Sequence, residues 1–216
     1  MSDAADTAID RPRDQAVLAL IASNVLTLFI ALVFKWTVLE LLWPYWIQNV
    51  VIGFYARRRM LKLRQFSAEG FSINDVPATE TPETQRSTAN FLTLHYGFFH
   101  FGYFMFLASR SIEAGFTRID ALIYVTVGLA FLLTHGRSHR EHVEADLAHK
   151  PNLGLLMVMP YIRVVPMHFV IIVGASQSGG GTGAVILFAV LKTIADVGMH
   201  KVEHHLLQRS RAASAA

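Results

Sequence analysis

Long apolar runs separated by short polar segments limit what this chain can fold into. Six such runs occur along the 216 residues, at about 16–34, 37–56, 91–108, 119–134, 155–175 and 182–205. A helix of about 20 apolar residues crosses the ~30 Å hydrocarbon core of a bilayer. Only 16% of the residues are charged, whereas a soluble domain has about 25%. The sequence therefore predicts an all-α fold, a polytopic integral membrane bundle of six transmembrane helices.

The polar segments set the expected boundaries and orientation. Residues 1–14 are expected to form a polar N-terminal tail, residues 15–205 the membrane domain with a loop at about 57–90, and residues 206–216 a disordered C-terminal tail. Of the 19 Lys and Arg residues, 14 fall in the tails, in the segments on their side of the membrane and at the adjoining end of the last run (Lys201), and three fall on the opposite side. Because Lys and Arg are enriched in cytoplasmic segments, both termini are predicted to be cytoplasmic.

The last apolar run carries a stripe of ionisable residues. Lys192, Asp196, His200 and His204 follow one another at intervals of four. Residues four apart lie one above another on a helix, so these side chains share one face. A charge that faces lipid costs from about 2.5 to above 10 kcal/mol. The stripe is therefore predicted to face the interior of the bundle.

Depths counted along each span, at about 1.5 Å per residue, divide the intramembrane polar residues into two layers. The layer near the cytoplasmic side contains His95, His135, Asp196 and His200. The deeper layer contains His100, Arg163, His168 and Lys192. Considered singly, these residues have ordinary structural explanations: a histidine bonds a neighbouring helix, Arg163 pairs with Asp196, and Lys192 extends to the membrane surface.

Considered together, the first layer predicts a metal site. Three imidazoles and a carboxylate suit a divalent ion, zinc first, and the chain has no cysteine to supply thiolates. An open coordination position would lower the pKa of bound water to about 7. The deeper residues would then be catalytic, with Arg163 and Lys192 holding a phosphate or carboxylate head group. This set predicts a zinc-dependent hydrolase of a lipid or hydrophobic substrate, although the chain has no H-E-x-x-H motif.

Three other functions stay open at this point. His100 and His168 could ligate a b-type haem, with Gly97 and Gly102 leaving space for the ring. The stripe of Lys, Asp and His residues could pass protons in a proton-coupled transporter. The stripe could also only join helices in a non-catalytic partner protein. The expected partners are membrane lipids and a lipid or hydrophobic substrate, not nucleic acid, and the choice between monomer and homo-oligomer is open.

Several short sequence motifs, taken together, resemble those of a known family. They lie at residues 45–53, 95–97, 135–138, 160–168 and 191–200. They are similar to a set of small prokaryotic multi-pass membrane proteins catalogued as a domain of unknown function. The resemblance implies the fold, a place in the inner membrane and the importance of the polar positions, but no activity. The chain has Gln48 where that family has Glu, which argues against a role that needs a carboxylate there. His139 does not match the residue pattern of that family, so His135 is favoured over His139 as a ligand of the predicted metal ion.

Overall fold

The computed structural model describes the backbone of residues 17–18, 21–148, 150–176 and 181–215. Side chains are described over the same ranges except at 134–135, 137–142, 144–145, 148, 173–176, 200–201 and 203–215. The predicted tail at 1–14 lies outside the described residues.

The described part of the chain is mostly helical, as the sequence predicts. Its helices are α1 (Ile21–Val33), α2 (Val38–Lys62), α3 (Pro82–Glu113), α4 (Arg118–Ala148), α5 (Leu153–Ser176) and α6 (Thr182–Ala215). Two short strands, β1 (Ser72–Ile73) and β2 (Val76–Pro77), pair antiparallel between α2 and α3. The all-α class is therefore confirmed.

Polar residues mark the starts of the helices. The backbone nitrogen of Thr37 donates to the Glu40 carboxylate at 2.6 Å, and the Thr81 hydroxyl accepts from the nitrogen of Thr84 at 3.3 Å. The amide oxygen of Asn152 accepts from the nitrogen of Leu155 at 3.0 Å. Each side chain satisfies a backbone N–H group that has no partner within its helix.

Helix α2 is the centre of the bundle. It packs against α3, α4, α5 and α6, while α3 also packs against α5, and α5 against α6. The indole of Trp43 bonds Ser111, whereas the carbonyl of Asn49 accepts from Tyr96, so α2 and α3 run in opposite directions. Helices α3 and α5 run in the same direction, because His95 contacts Tyr161 and Tyr103 contacts His168. These directions match an up-and-down bundle.

Large apolar side chains cover much of the outer surface. Leu94 and Phe98 on α3 are 76% and 72% exposed, and Leu133 on α4 is 76% exposed. In contrast, His100 and Asp196 are buried. Among the described residues, the stretches long and apolar enough to cross a membrane are Leu153–Ile172 and Thr182–Met199. The structure therefore supports membrane association weakly, and the number of spans stays a prediction.

The segment between α2 and α3 is fastened to the start of α5. The nitrogen of Ser67 donates to the carbonyl of Pro151, and the nitrogen of Leu153 donates to the carbonyl of Ser67, both at 2.9 Å. The ammonium of Lys150 lies 2.6 Å from the carboxylate of Glu80. These bonds place the α2–α3 connection and the α4–α5 connection at the same end of the bundle.

Candidate functional site

A buried ion pair joins α6 to α1. The ammonium of Lys192 lies 2.6 Å from the Asp196 carboxylate and donates at 2.8 Å to the amide oxygen of Asn24. The amide nitrogen of Asn24 donates to the same carboxylate at 3.2 Å. The i, i+4 spacing read from the sequence therefore does bring Lys192 and Asp196 together, and both turn inward. The alternatives that Lys192 snorkels and that Asp196 pairs with Arg163 are wrong.

Tyr45 connects this pair to the cation on α5. The ammonium of Lys192 lies 5.8 Å from the centre of the Tyr45 ring, a cation–π distance. The Tyr45 hydroxyl donates to the backbone carbonyl of Arg163. Within the described part of the chain, the guanidinium of Arg163 has no hydrogen bond or ion pair. Lys192 and Asp196 neutralise each other, whereas no described residue neutralises the guanidinium of Arg163. We call Asn24, Tyr45, Arg163, Lys192 and Asp196 the charged cluster.

Prolines flank the charged cluster on two helices. Pro160 and Pro166 lie on either side of Arg163 in α5, and Pro44 precedes Tyr45 in α2. A proline inside a helix removes one backbone hydrogen bond and frees a carbonyl. The Tyr45–Arg163 contact therefore joins two helices that contain prolines. The sequence alone did not indicate such a pair, because it does not show which spans touch.

A second polar group lies between α2 and α3. The Tyr96 hydroxyl donates to the carbonyl of Asn49 at 3.0 Å, and the Tyr96 ring stacks on the His100 imidazole with centroids 4.1 Å apart. Asn49 donates its amide nitrogen to the carbonyl of Tyr45, one turn earlier in α2. The amide oxygen of Asn49 and the Nε2 atom of His100 are buried without a hydrogen-bond partner.

The other two described histidines of the predicted layers each pair with a tyrosine. His95 Nδ1 lies 2.9 Å from the Tyr161 hydroxyl, and His168 Nδ1 lies 2.9 Å from the Tyr103 hydroxyl. Both imidazoles are on the exposed side of the α3–α5 contact. They join the two helices, as the ordinary structural explanation of an intramembrane histidine expects.

The predicted zinc site is wrong. Among the described residues, no group of three or more His, Cys, Asp or Glu could hold a metal ion. His95 is bonded to Tyr161, and Asp196 is bonded to Lys192 and Asn24. The depth estimate failed because equal depth does not fix the direction in which a side chain points around its helix. The side chains of His135 and His200 lie outside the described residues. Without the metal, the predicted hydrolase loses the ion that would activate water.

The alternative haem site is wrong for a related reason. His100 and His168 do lie near each other, but the Tyr103 ring contacts both, with centroids 5.8 Å and 6.0 Å away. The Nδ1 atom of His168 already bonds the Tyr103 hydroxyl. A Cβ atom built on Gly97 or Gly102 would meet nothing within 4 Å. These glycines therefore face outward and do not open a space between the histidines.

Sequence reasoning missed the neutral members of both polar groups. The polar layers predicted from the sequence include neither Asn24 nor Tyr45. In the structure Tyr45 is buried, and the indole nitrogens of Trp43 and Trp46 donate inward to Ser111 and to the carbonyl of His100. One sequence feature could have identified Asn24. The first apolar run contains only three polar residues, Ser23, Asn24 and Thr27, so each of them was a candidate for a contact between helices.

Comparison with known families agrees with the resemblance noted in the sequence. A model described as a family of unknown function, DUF6498, matches residues 7–213. The chain belongs to this family. No curated protein and no solved structure matches the chain. The match covers α1 to α5 and all but the last two residues of α6, so both polar groups fall within the family's domain.

Proposed function

We propose that this member of DUF6498 is a multi-pass protein of a prokaryotic inner membrane, with six spans and cytoplasmic termini, that carries a small organic anion across the bilayer together with a proton. Helices α2 to α6 contain 25, 32, 31, 24 and 34 residues, and about 20 suffice to cross a bilayer. The apolar outer surface supports this placement, because soluble monomers rarely expose continuous apolar patches above a few hundred Å².

A core helix of a soluble protein would be mostly buried, which distinguishes it from a membrane span. Only 28% of the Leu153–Ile172 window and 22% of the Thr182–Met199 window are buried. Lipid would cover the remaining apolar surface without further protein. This burial favours a membrane environment for α5 and α6.

The transport proposal rests on the guanidinium of Arg163, which has no hydrogen bond or ion pair among the described residues. An isolated charge inside the bilayer is costly, and ionisable residues in spans usually mark substrate or ion pathways. The charged cluster retains one positive charge, so an anion would complete it. Guanidinium groups bind carboxylates and phosphates through two parallel hydrogen bonds. A small anionic group is therefore the expected ligand.

Asp196 is the group that we expect to take the coupling proton. A proton on its carboxylate would remove the partner of Lys192, which lies 2.6 Å away. Lys192 would then attract the anion more strongly, so anion and proton would favour each other's binding. Thermodynamic linkage requires this coupling to be reciprocal. The two proline-containing helices that meet at Tyr45 and Arg163 support a polar site there, because each proline leaves a backbone carbonyl without its helical hydrogen bond.

Reconstitution into proteoliposomes tests the proposal. The vesicles would contain the pH indicator pyranine and would be exposed to a panel of carboxylates and phosphonates under an imposed pH gradient. We expect anion-dependent proton movement in the wild type, loss of anion binding in Arg163→Gln, and anion binding without proton movement in Asp196→Asn. Arg110→Gln is the matched control, because Arg110 forms an exposed pair with Glu113. No anion-dependent proton movement in the wild type, or an unaffected Arg163→Gln, would refute the proposal.

A further inference from the structure

The two unpartnered buried atoms near Tyr96 carry information about the ligand. Asn49 is 0% exposed and His100 is 4% exposed, yet the amide oxygen of the first and the Nε2 atom of the second have no hydrogen-bond partner. A buried polar atom that is left unpaired destabilises the folded state, because it has lost its hydrogen bonds to water. Such atoms are rare in native proteins and usually mark a bound molecule or a functional role.

Chemistry fixes both atoms as hydrogen-bond acceptors. His100 Nδ1 lies 2.9 Å from the backbone carbonyl of Tyr96, which can only accept, so Nδ1 carries the proton of the neutral ring and Nε2 has a lone pair. The amide nitrogen of Asn49 lies 3.0 Å from the carbonyl of Tyr45, so the remaining amide atom is the oxygen. Both free atoms are therefore acceptors, and a group that donates hydrogen bonds would satisfy them.

Both acceptors are close to the unpaired cation. Asn49 and Tyr45 lie on one face of α2, a turn apart, and Tyr45 bonds the backbone of Arg163. The Tyr96 ring lies beside both acceptor residues, because its hydroxyl bonds the carbonyl of Asn49 and its face stacks on His100. Arg163, Asn49 and His100 therefore each lie beside Tyr45 or Tyr96.

We propose that the transported anion carries a hydroxyl group, and that Asn49 and His100 accept hydrogen bonds from that part of the ligand. This inference rests on the proposed function and adds the class of substrate, a small hydroxy acid or hydroxyphosphonate. A zwitterionic amino acid would also supply donors. However, its zero net charge would leave the positive charge of the cluster uncompensated, so a hydroxy anion fits the charge and the acceptors together.

Matched ligand pairs test the inference. Binding to the intact protein in nanodiscs would be measured by calorimetry for propionate and lactate, succinate and malate, and methylphosphonate and hydroxymethylphosphonate. Sites that hydrogen-bond a ligand hydroxyl discriminate strongly against the analogue without it. We expect the hydroxylated member of at least one pair to bind about tenfold more tightly or better, since one buried bond is worth about 1.4 kcal/mol.

The decisive readout is the ratio of the two affinities within each variant, because partial loss of folded protein affects both ligands equally. His100→Phe keeps a ring that can stack on Tyr96 but removes the acceptor, and Asn49→Ala removes the other acceptor. We expect each variant to bring the ratio close to one. Equal affinities within every pair in the wild type, or an unchanged ratio in both variants, would overturn this inference alone. Absence of binding by every anion would overturn it together with the proposed function.

Discussion

At the scale of single residues, breaking the ion pair of Lys192 and Asp196 should reduce the free energy of unfolding more than breaking an exposed pair does. Removing one partner of a buried pair leaves an uncompensated charge and costs about 3–5 kcal/mol. We expect Asp196→Leu to lower the thermal unfolding midpoint in detergent markedly. The double variant Lys192→Met/Asp196→Leu should unfold at a higher temperature than Asp196→Leu, because it leaves no unpaired charge.

The exposed pair of Arg110 and Glu113 is the control for this prediction. Its side chains are 49% and 59% exposed, and such pairs contribute at most about 1 kcal/mol. Glu113→Leu should therefore shift the midpoint little, as measured by circular dichroism. A double variant at Lys192 and Asp196 that unfolds below Asp196→Leu would contradict the account of the pair.

Glu80 offers a pH-dependent test outside the helices. The hydrogen bond from Lys150 holds the pKa of the Glu80 carboxyl below its usual value. A carboxyl with a lowered pKa in the folded state stabilises the fold above its unfolded pKa, and this contribution is lost as pH falls through the folded pKa. Lys150→Met should raise the pKa of Glu80, as followed by carbon-13 NMR. Lys62→Met, which changes an exposed lysine near the end of α2, should leave it unchanged.

The charged members of the site were predictable because charge inside an apolar run is itself unusual. Lys192, Asp196 and Arg163 all appeared among the sequence candidates, and the first two also had the spacing of a helical pair. Their neutral partners, Asn24 and Tyr45, are ordinary residues in spans and depend on contacts between helices. Those contacts follow from the rotation of each helix about its axis, which depth counting does not provide.

At the scale of whole elements, glycine positions distinguish contacts between helices from the outer surface of the bundle. A Cβ atom on Gly53 in α2 would lie 2.5 Å from Cε1 and 2.8 Å from Cδ1 of Tyr96. The Tyr96 ring is buried between this glycine and His100, so it has little room to move. Gly53→Ala should destabilise the α2–α3 contact by about 1–3 kcal/mol, as overpacking does. Thermal unfolding monitored by circular dichroism provides the measurement.

Gly97 is the matched control for Gly53. It lies within α3, next to Tyr96, but a Cβ atom there meets nothing within 4 Å. Alanine should stabilise this position by about 0.5–1 kcal/mol, because glycine loses more backbone entropy on forming a helix. If Gly97→Ala proved as harmful as Gly53→Ala, the described packing of α2 against α3 would be wrong.

The bounds of the helices show what apolar patterning can and cannot predict. The predicted apolar run at 91–108 lies inside α3, which extends over Pro82–Glu113. Hydropathy marks only the apolar part of a helix, whereas the backbone hydrogen bonds continue into polar sequence until a cap ends them. Thr81 followed by Pro82 is such a cap, and both residue types are favoured at helix starts. Capping signals therefore locate the helix start where hydropathy does not.

At the scale of the whole molecule, the absence of native cysteine allows a direct test of the proposed topology. Ser72→Cys would introduce a unique thiol in the hairpin between α2 and α3, and Ala114→Cys another between α3 and α4. Both positions are exposed. Because α3 separates them, six spans with cytoplasmic termini require Ser72 to face the cytoplasm and Ala114 the opposite side.

Labelling with a membrane-impermeant maleimide in oriented vesicles distinguishes the possible arrangements. We expect Ser72→Cys to react only in inside-out vesicles and Ala114→Cys only in right-side-out vesicles. Leu107→Cys is the control, because Leu107 is 0% exposed and its thiol should react only after denaturation. Labelling of both exposed sites from one side would mean that α3 does not cross the membrane. In that case Arg163 and the ion pair would no longer need to lie within the bilayer, and the cost of an unpaired charge there would no longer argue for a transported anion.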